Sequence, residues 1–152
     1  MAIIGIDLGT TNSLAAVWRD GRAELIPNGA GEYLTPSAVS IDEDGTVLVG
    51  QAARDRLITH PERSAAVFKR DMGTEKQFDL GGRKFTPEEL SALVLRQLKE
   101  DAEAYLGEPV AEAVVSVPAY CAEAARPATK RAGALAGLTV ERLGNEPSAA
   151  AV

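Results

Sequence analysis

The residues with most capacity for chemistry lie at the N-terminus, in Ile3-Ile4-Gly5-Ile6-Asp7-Leu8-Gly9-Thr10-Thr11-Asn12-Ser13. Ile3, Ile4, Ile6 and Leu8 form a short apolar run rich in β-branched residues, the pattern of a central strand. Asp7 interrupts it, and an ionised carboxylate in a core strand is costly unless it meets a cation or a set of donors. Gly9 lacks a Cβ, so a ligand can approach the backbone closely. Thr10, Thr11, Asn12 and Ser13 then present successive N–H groups and polar side chains, and such a turn makes a concave site for phosphate oxygens. Asp7 beside it suits a hydrated divalent cation, since Mg²⁺ keeps its waters and prefers hard oxygen ligands. The plainer alternative is a hairpin whose turn is capped by Asp7. The stretch is neither a Walker-A loop, lacking Gly-Lys-Ser/Thr, nor a dinucleotide fingerprint, lacking Gly-x-Gly-x-x-Gly before a helix.

Two further groups qualify. Lys69, in the exposed-looking segment Phe68-Lys69-Arg70, is a compact point charge able to reach transferred phosphate oxygens, or a solvated surface lysine. Glu146, in Gly144-Asn145-Glu146-Pro147, is either a helix cap or a second carboxylate facing Asp7 that orders water around a metal. Pro118 reads as a strand stop. His60 reads as a surface helix-end residue. Cys121 has no basic neighbour to activate it. Trp18 and Tyr105 read as core or half-buried packing, and the Gly133–Gly137 spacing as close helix–sheet packing.

These groups need a scaffold. With 152 residues, 45% apolar and 25% charged, the chain suits one domain, or one lobe of a larger one, with a real core. A net charge of −6 argues against a general nucleic-acid binder. No apolar run has the length of a membrane span, and no signal-peptide pattern opens the chain. A single cysteine excludes an internal disulfide and fits a reducing, cytoplasmic setting.

The patterning predicts strands at Ile3–Leu8 and Ser13–Trp18, then a turn at Asp20-Gly21-Arg22 into Ala23–Ile26. A second hairpin joins Ala38–Ile41 to Val47–Val49. A short helix over Gln51–Ile58 stops at His60-Pro61. Lys76–Leu80 and Arg83–Phe85 flank Gly81-Gly82. Thr86-Pro87-Glu88-Glu89 is a capping box opening the strongest helix, with Leu90, Leu93, Val94, Leu98, Ala102 and Tyr105 at helical spacing and Gly107 and Pro109 ending it. Strands follow at Ala113–Val117 and Thr139–Leu143. Between them a small-residue helix runs from about Ala122 to Ala136. A last helix begins at Pro147. The chain stops inside the apolar run Ala149–Val152, so a longer parent protein is expected.

Four segments in order carry a resemblance: Gly5–Ser13, Phe68-Lys69-Arg70, Val115-Ser116-Val117-Pro118-Ala119-Tyr120, and Asn145-Glu146-Pro147-Ser148-Ala149-Ala150-Ala151. The chain resembles, along nearly its whole length, the first lobe of the ATPase domain of DnaK-type, seventy-kilodalton heat-shock chaperones. The resemblance implies an α/β, actin-like and ribonuclease H-like lobe, with a mixed sheet flanked by helices and a small α+β subdomain. Residues 1–36 and 110–152 would form the core subdomain and 37–109 the outer one. A second lobe and a peptide-binding domain are expected beyond the chain. ATP or ADP with Mg²⁺ would be the cofactors. Asp7 would hold the Mg²⁺ water shell. Thr10, Thr11 and Asn12, after Gly9, would line the β- and γ-phosphates. Lys69 would contact the γ-phosphate and the attacking water, and Glu146 would lie one layer out from the metal, against the groups that bind it. Pro118 and Arg126 would relay nucleotide state, and Arg142 would meet J-domain co-chaperones. Unfolded polypeptides, a J-domain protein and an exchange factor would be the partners, with no nucleic acid or membrane.

The sequence departs from the family at Cys121-Ala122-Glu123, a poorer helix cap than usual. Pro127 biases Arg126 away from the α region, so the regular helix should begin late, near Arg126. The stretch from Gly73 to Phe78 is short. Alone, this lobe should bind nucleotide weakly and turn over little. A sugar kinase lobe and an actin-like filament protein are the alternatives.

Overall fold

The structure is a computed structural model describing residues 2–117 and 125–145. Its main sheet has the strand order β11-β10-β1-β2-β3. β1 (Ala2–Leu8), β2 (Asn12–Arg19) and β3 (Arg22–Ile26) form an antiparallel meander. β10 (Val110–Val117) and β11 (Thr139–Asn145) add to the other side of β1, all three running parallel. β4 (Thr35–Pro36) pairs with the start of β2. The chain then leaves for a three-stranded sheet of order β6-β5-β7, made from β5 (Ala38–Ile41), β6 (Val47–Val49) and β7 (Ser64–Ala66). α1 (Gln51–Thr59) packs against β5 and β7 of that sheet. β8 (Phe78–Leu80) and β9 (Arg83–Phe85) form a separate hairpin. The mixed α/β architecture is the one expected.

α2 (Pro87–Leu106) is the longest helix, and its start is built as the sequence predicts. The Thr86 hydroxyl accepts from the Glu89 N–H at 3.1 Å, and the Glu89 carboxylate accepts from the Thr86 N–H at 2.8 Å. Both bonds satisfy donors that a helix start leaves orphaned. Gly107 ends the helix with φ 71°, a left-handed conformation that glycine adopts without steric cost. Just beyond, the Glu103 carboxylate accepts from the Val110 N–H at 2.9 Å and from Lys99 at 3.1 Å, tying the helix end to the start of β10. Those two donors hold the Glu103 pKa below its usual value.

Leu90, Val94, Leu95 and Leu98 on α2 share one buried cluster with Ile4, Ile6, Leu8 and Val115 of the main sheet. Val39 and Ile41 of the smaller sheet belong to the same cluster. α3 (Ala125–Leu135) packs against α2 and β11 with small residues, Ala128 and Ala132. A Cβ at Gly133 would run into the Val140 side chain, so close helix–sheet packing does explain that glycine. Pro127 and Arg126 are both helical in α3. A proline so early in a helix removes an N–H that has no intrahelical acceptor anyway, which outweighs its bias on Arg126.

Two aromatic residues depart from expectation. Trp18 is 56% exposed and Tyr105 42% exposed. Trp18, Ile3 and Leu25 lie on the sheet face opposite the buried Ile4, Val17 and Ile26, and all three are exposed. Strand alternation sends every second side chain there. Tyr105 reaches past the core, donates to Glu24 Oε2 at 2.8 Å and stacks beneath the Arg19 guanidinium. The helix predicted from Pro147 and the residue Cys121 lie outside the described residues.

Asp101, on α2, carries an internal cost. Its Oδ1 accepts from Gln97 at 3.0 Å, but Oδ2 is buried with no partner among the described residues. Burial, assisted by Glu100, raises its pKa against the pull of Gln97. A carboxyl whose folded pKa is raised binds more protons folded than unfolded, so its contribution to stability falls as pH rises through that interval. Asp101→Asn should therefore melt higher than wild type at pH 7, with the advantage vanishing below about pH 4, where the carboxyl is protonated in both states. Calorimetry across that pH range checks this.

Candidate functional site

β1, β10 and β11 run parallel, so their carboxyl ends lie together, at Leu8, Val117 and Asn145. Ligands of open α/β sheets bind at such ends. The turn between β1 and β2 stands there too, joining two strands as the sequence predicts. Asp7 is half-buried next to the last residue of β1. Its register partner is Ser116 of β10, whose hydroxyl donates to Asp7 Oδ1 at 2.9 Å.

Gly9 turns out to be required by the turn itself. A Cβ there would collide with the Asn12 carbonyl oxygen. The turn is braced from outside by Ser37, which sequence reasoning passed over. The Ser37 N–H donates to the Thr11 carbonyl at 2.8 Å, and its hydroxyl donates to the Gly9 carbonyl at 2.9 Å. The Ser13 and Ser37 hydroxyls lie 2.8 Å apart. A hydroxyl has one proton, and that of Ser37 goes to Gly9, so Ser13 donates to Ser37. Because a trans peptide directs its C=O and N–H oppositely, holding the Gly9 carbonyl toward Ser37 turns the Thr10 N–H away from it. The only prior signal for Ser37 was its place after Thr35-Pro36, at a return of the chain.

Lys69 reaches this end of the sheet from the other side of the chain. It lies in a 3₁₀ turn, Phe68–Asp71, not in an exposed segment, and Phe68 is 2% exposed. Its ammonium donates to the Leu8 carbonyl, one residue from Asp7. Phe68 and Met72 plunge into the core on either side of it. The Gly73 N–H donates to Glu88 Oε1 at 3.1 Å, and Arg131 of α3 lies 3.6 Å from the same oxygen. The chain enters the 3₁₀ turn through Val67 at φ 60°, a left-handed conformation that β-branched residues rarely adopt.

Asp7, the Gly9–Asn12 turn and Lys69 are thus gathered at one end of β1. Hard carboxylate oxygen, hydroxyls and a lysine ammonium form a donor set that fits a phosphate chain with a hydrated divalent cation. Glu146 and Pro118, which follow the last residues of β11 and β10, lie outside the described residues. Arg126 is exposed on α3, and Arg142 lies in β11 opposite Val114.

A family profile described as Hsp70 protein matches residues 3–80 and 74–152. The chain belongs to the Hsp70 family. The Hsp70 assignment accounts for the mixed sheet flanked by helices, which agrees with an Hsp70 nucleotide-binding lobe. It makes the chain part of a chaperone nucleotide-binding domain. Hsp70 proteins bind ATP and ADP with Mg²⁺, hydrolyse ATP, and work with client polypeptides, J-domain proteins and exchange factors. Among the described residues no helix is long and apolar enough to cross a membrane.

Two substitutions test how the site is positioned. Ser37→Ala leaves the Ser13 hydroxyl and the Gly9 carbonyl without their partner and should cost about 1–3 kcal/mol in urea denaturation. Val67→Gly exchanges left-handed strain of about 1–2 kcal/mol for a smaller backbone-entropy cost, so it should leave stability unchanged or raise it by up to about 1 kcal/mol. A clear loss of stability on denaturation would refute the strain at Val67.

Proposed function

We propose that this chain is the first lobe of the nucleotide-binding domain of a chaperone that binds and hydrolyses ATP to control its hold on unfolded polypeptides. In this reading residues 1–36 and 110–152 form the core subdomain and 37–109 the outer subdomain that carries Lys69. A second lobe closes the cleft and a peptide-binding domain follows. A cytoplasmic setting and a role in the stress response go with this reading. One observation carries it: in a chain of this family, the Lys69 ammonium stands on the Leu8 carbonyl, beside Asp7.

The chemistry proposed is in-line attack of water on the γ-phosphate, where catalysis is chiefly positioning and charge stabilisation. Magnesium, when bound, neutralises phosphate charge and polarises its own waters. Asp7 accepts hydrogen bonds from those waters. Gly9, Thr10, Thr11 and Asn12 hold the β- and γ-phosphate oxygens through N–H and hydroxyl donors. Lys69 stabilises charge on the γ-phosphate and orients the attacking water. Glu146 would order water around the metal. Pro118 and Arg126 pass the nucleotide state onward, and Arg142 helps receive a J-domain protein.

In the full-length protein, Lys69→Ala should lower single-turnover ATP hydrolysis about 10²–10³-fold, the usual loss when one charge-stabilising group is removed. ATP affinity should change far less, because Asp7 and the turn remain. Unchanged hydrolysis would sink the role of Lys69. Wild-type hydrolysis should rise with an unfolded peptide; consumption of ATP only with a sugar, or nucleotide-dependent sedimentation, would point to a kinase or a filament protein instead.

A further inference from the structure

Ser116 is a hydroxyl in a strand otherwise built for packing. Its neighbours Ala113 and Val115 are fully buried, and Ser116 itself is only 1% exposed. A buried hydroxyl costs free energy unless it is bonded. Its proton goes to a single acceptor, Asp7 Oδ1, at 2.9 Å. The two residues are register partners on parallel strands, so their side chains leave the sheet side by side.

We propose that Ser116 is a positioning residue for Asp7, fixing the carboxylate so that Oδ2 is presented to the waters of a bound divalent cation. This inference rests on the nucleotide reading above. A carboxylate at a strand end swings about two side-chain torsions, and each water it must accept from a cation then requires that freedom to be lost. The Ser116 hydroxyl removes it beforehand. It occupies Oδ1 with a charge-assisted bond, which is stronger than a neutral one. It also prevents Oδ1 from competing with Oδ2 for the same cation. Lys69 holds the backbone one residue further on through the Leu8 carbonyl, so side chain and main chain at the end of β1 are each held from a different element. Loss of a supporting group of this kind typically lowers metal affinity or activity about 10–100-fold.

The test is ADP binding to the full-length protein, by titration calorimetry over a series of Mg²⁺ concentrations and in EDTA. Ser116→Ala should raise the Mg²⁺ concentration needed for half of the Mg²⁺-dependent gain in ADP affinity by about ten- to a hundred-fold, the range expected for one hydrogen bond to a charged group. ADP affinity in EDTA should not change. Ser116→Thr, which keeps the hydroxyl, should behave as wild type. An unaltered Mg²⁺ requirement in the alanine variant overturns the proposal. So does a fall of ADP affinity in EDTA equal to that in Mg²⁺, because that marks a merely structural serine. Failure of the wild type to bind ADP more tightly with Mg²⁺ would instead overturn the nucleotide reading on which this proposal stands.

Discussion

The parallel pairing of β1 with β10 is the constraint on which the rest of the molecule depends. It sets Asp7 against Ser116 and brings the carboxyl ends of β1, β10 and β11 to one edge of the sheet. Parallel neighbours need a long crossover, and here the whole of residues 27–109 intervenes between the meander and β10. α2 ends that excursion, and the bond from the Val110 N–H to Glu103 fixes where the returning strand begins. A slip by one residue would turn Ser116 to the opposite face and leave Asp7 without its donor.

The excursion also delivers the lysine. Phe68 and Met72 are buried on either side of Lys69, so the 3₁₀ turn between them is held by the core itself. Glu88, in the first turn of α2, takes the Gly73 N–H and lies within reach of Arg131 on α3. The segment carrying Lys69 is thereby tied to both helices behind the main sheet. Val67 bears the backbone strain of the entry, and such strain persists only where its surroundings over-determine the conformation.

The main sheet is covered unequally. Ile4, Ile6 and Val17 are buried in the cluster shared with the helices, whereas Ile3, Trp18 and Leu25 on the opposite face are exposed. The smaller sheet has its own polar brace. Arg56 donates to Ser40 Oγ at 2.7 Å and Ser40 donates to the Arg63 carbonyl at 3.1 Å, while the neighbouring Ser64 hydroxyl gives its proton to the His60 carbonyl at 2.8 Å. A hydroxyl that both accepts and donates is satisfied, which is how the Ser40 side chain is tolerated at full burial.

Much of this was legible in the order of residues. The capping box at Thr86, the turn between β1 and β2, the three short hairpins and the glycine stop at Gly107 are local events. Each depends on interactions within a few residues, so each leaves its mark in sequence. Exposure was less legible. Trp18 and Tyr105 are apolar enough to read as core or half-buried, but which face of a strand or end of a helix is covered depends on elements far away in the chain. Phe68 erred the other way, since a short basic segment hides a buried ring. Ser37 and Ser116 carry no signal of their own, for a serine becomes a brace or a positioning group only when a carbonyl or carboxylate from another strand stands opposite. The sequence by itself determined the locally encoded elements, the turn after Asp7 and the family; tertiary structure alone decided the short strands β4 and β7, the 3₁₀ turn at Lys69, that Lys69 meets Leu8 and that Asp7 meets Ser116. Contacts spanning 61 and 109 residues are set by strand register and core packing, and those are properties of the assembled sheet rather than of any stretch of chain.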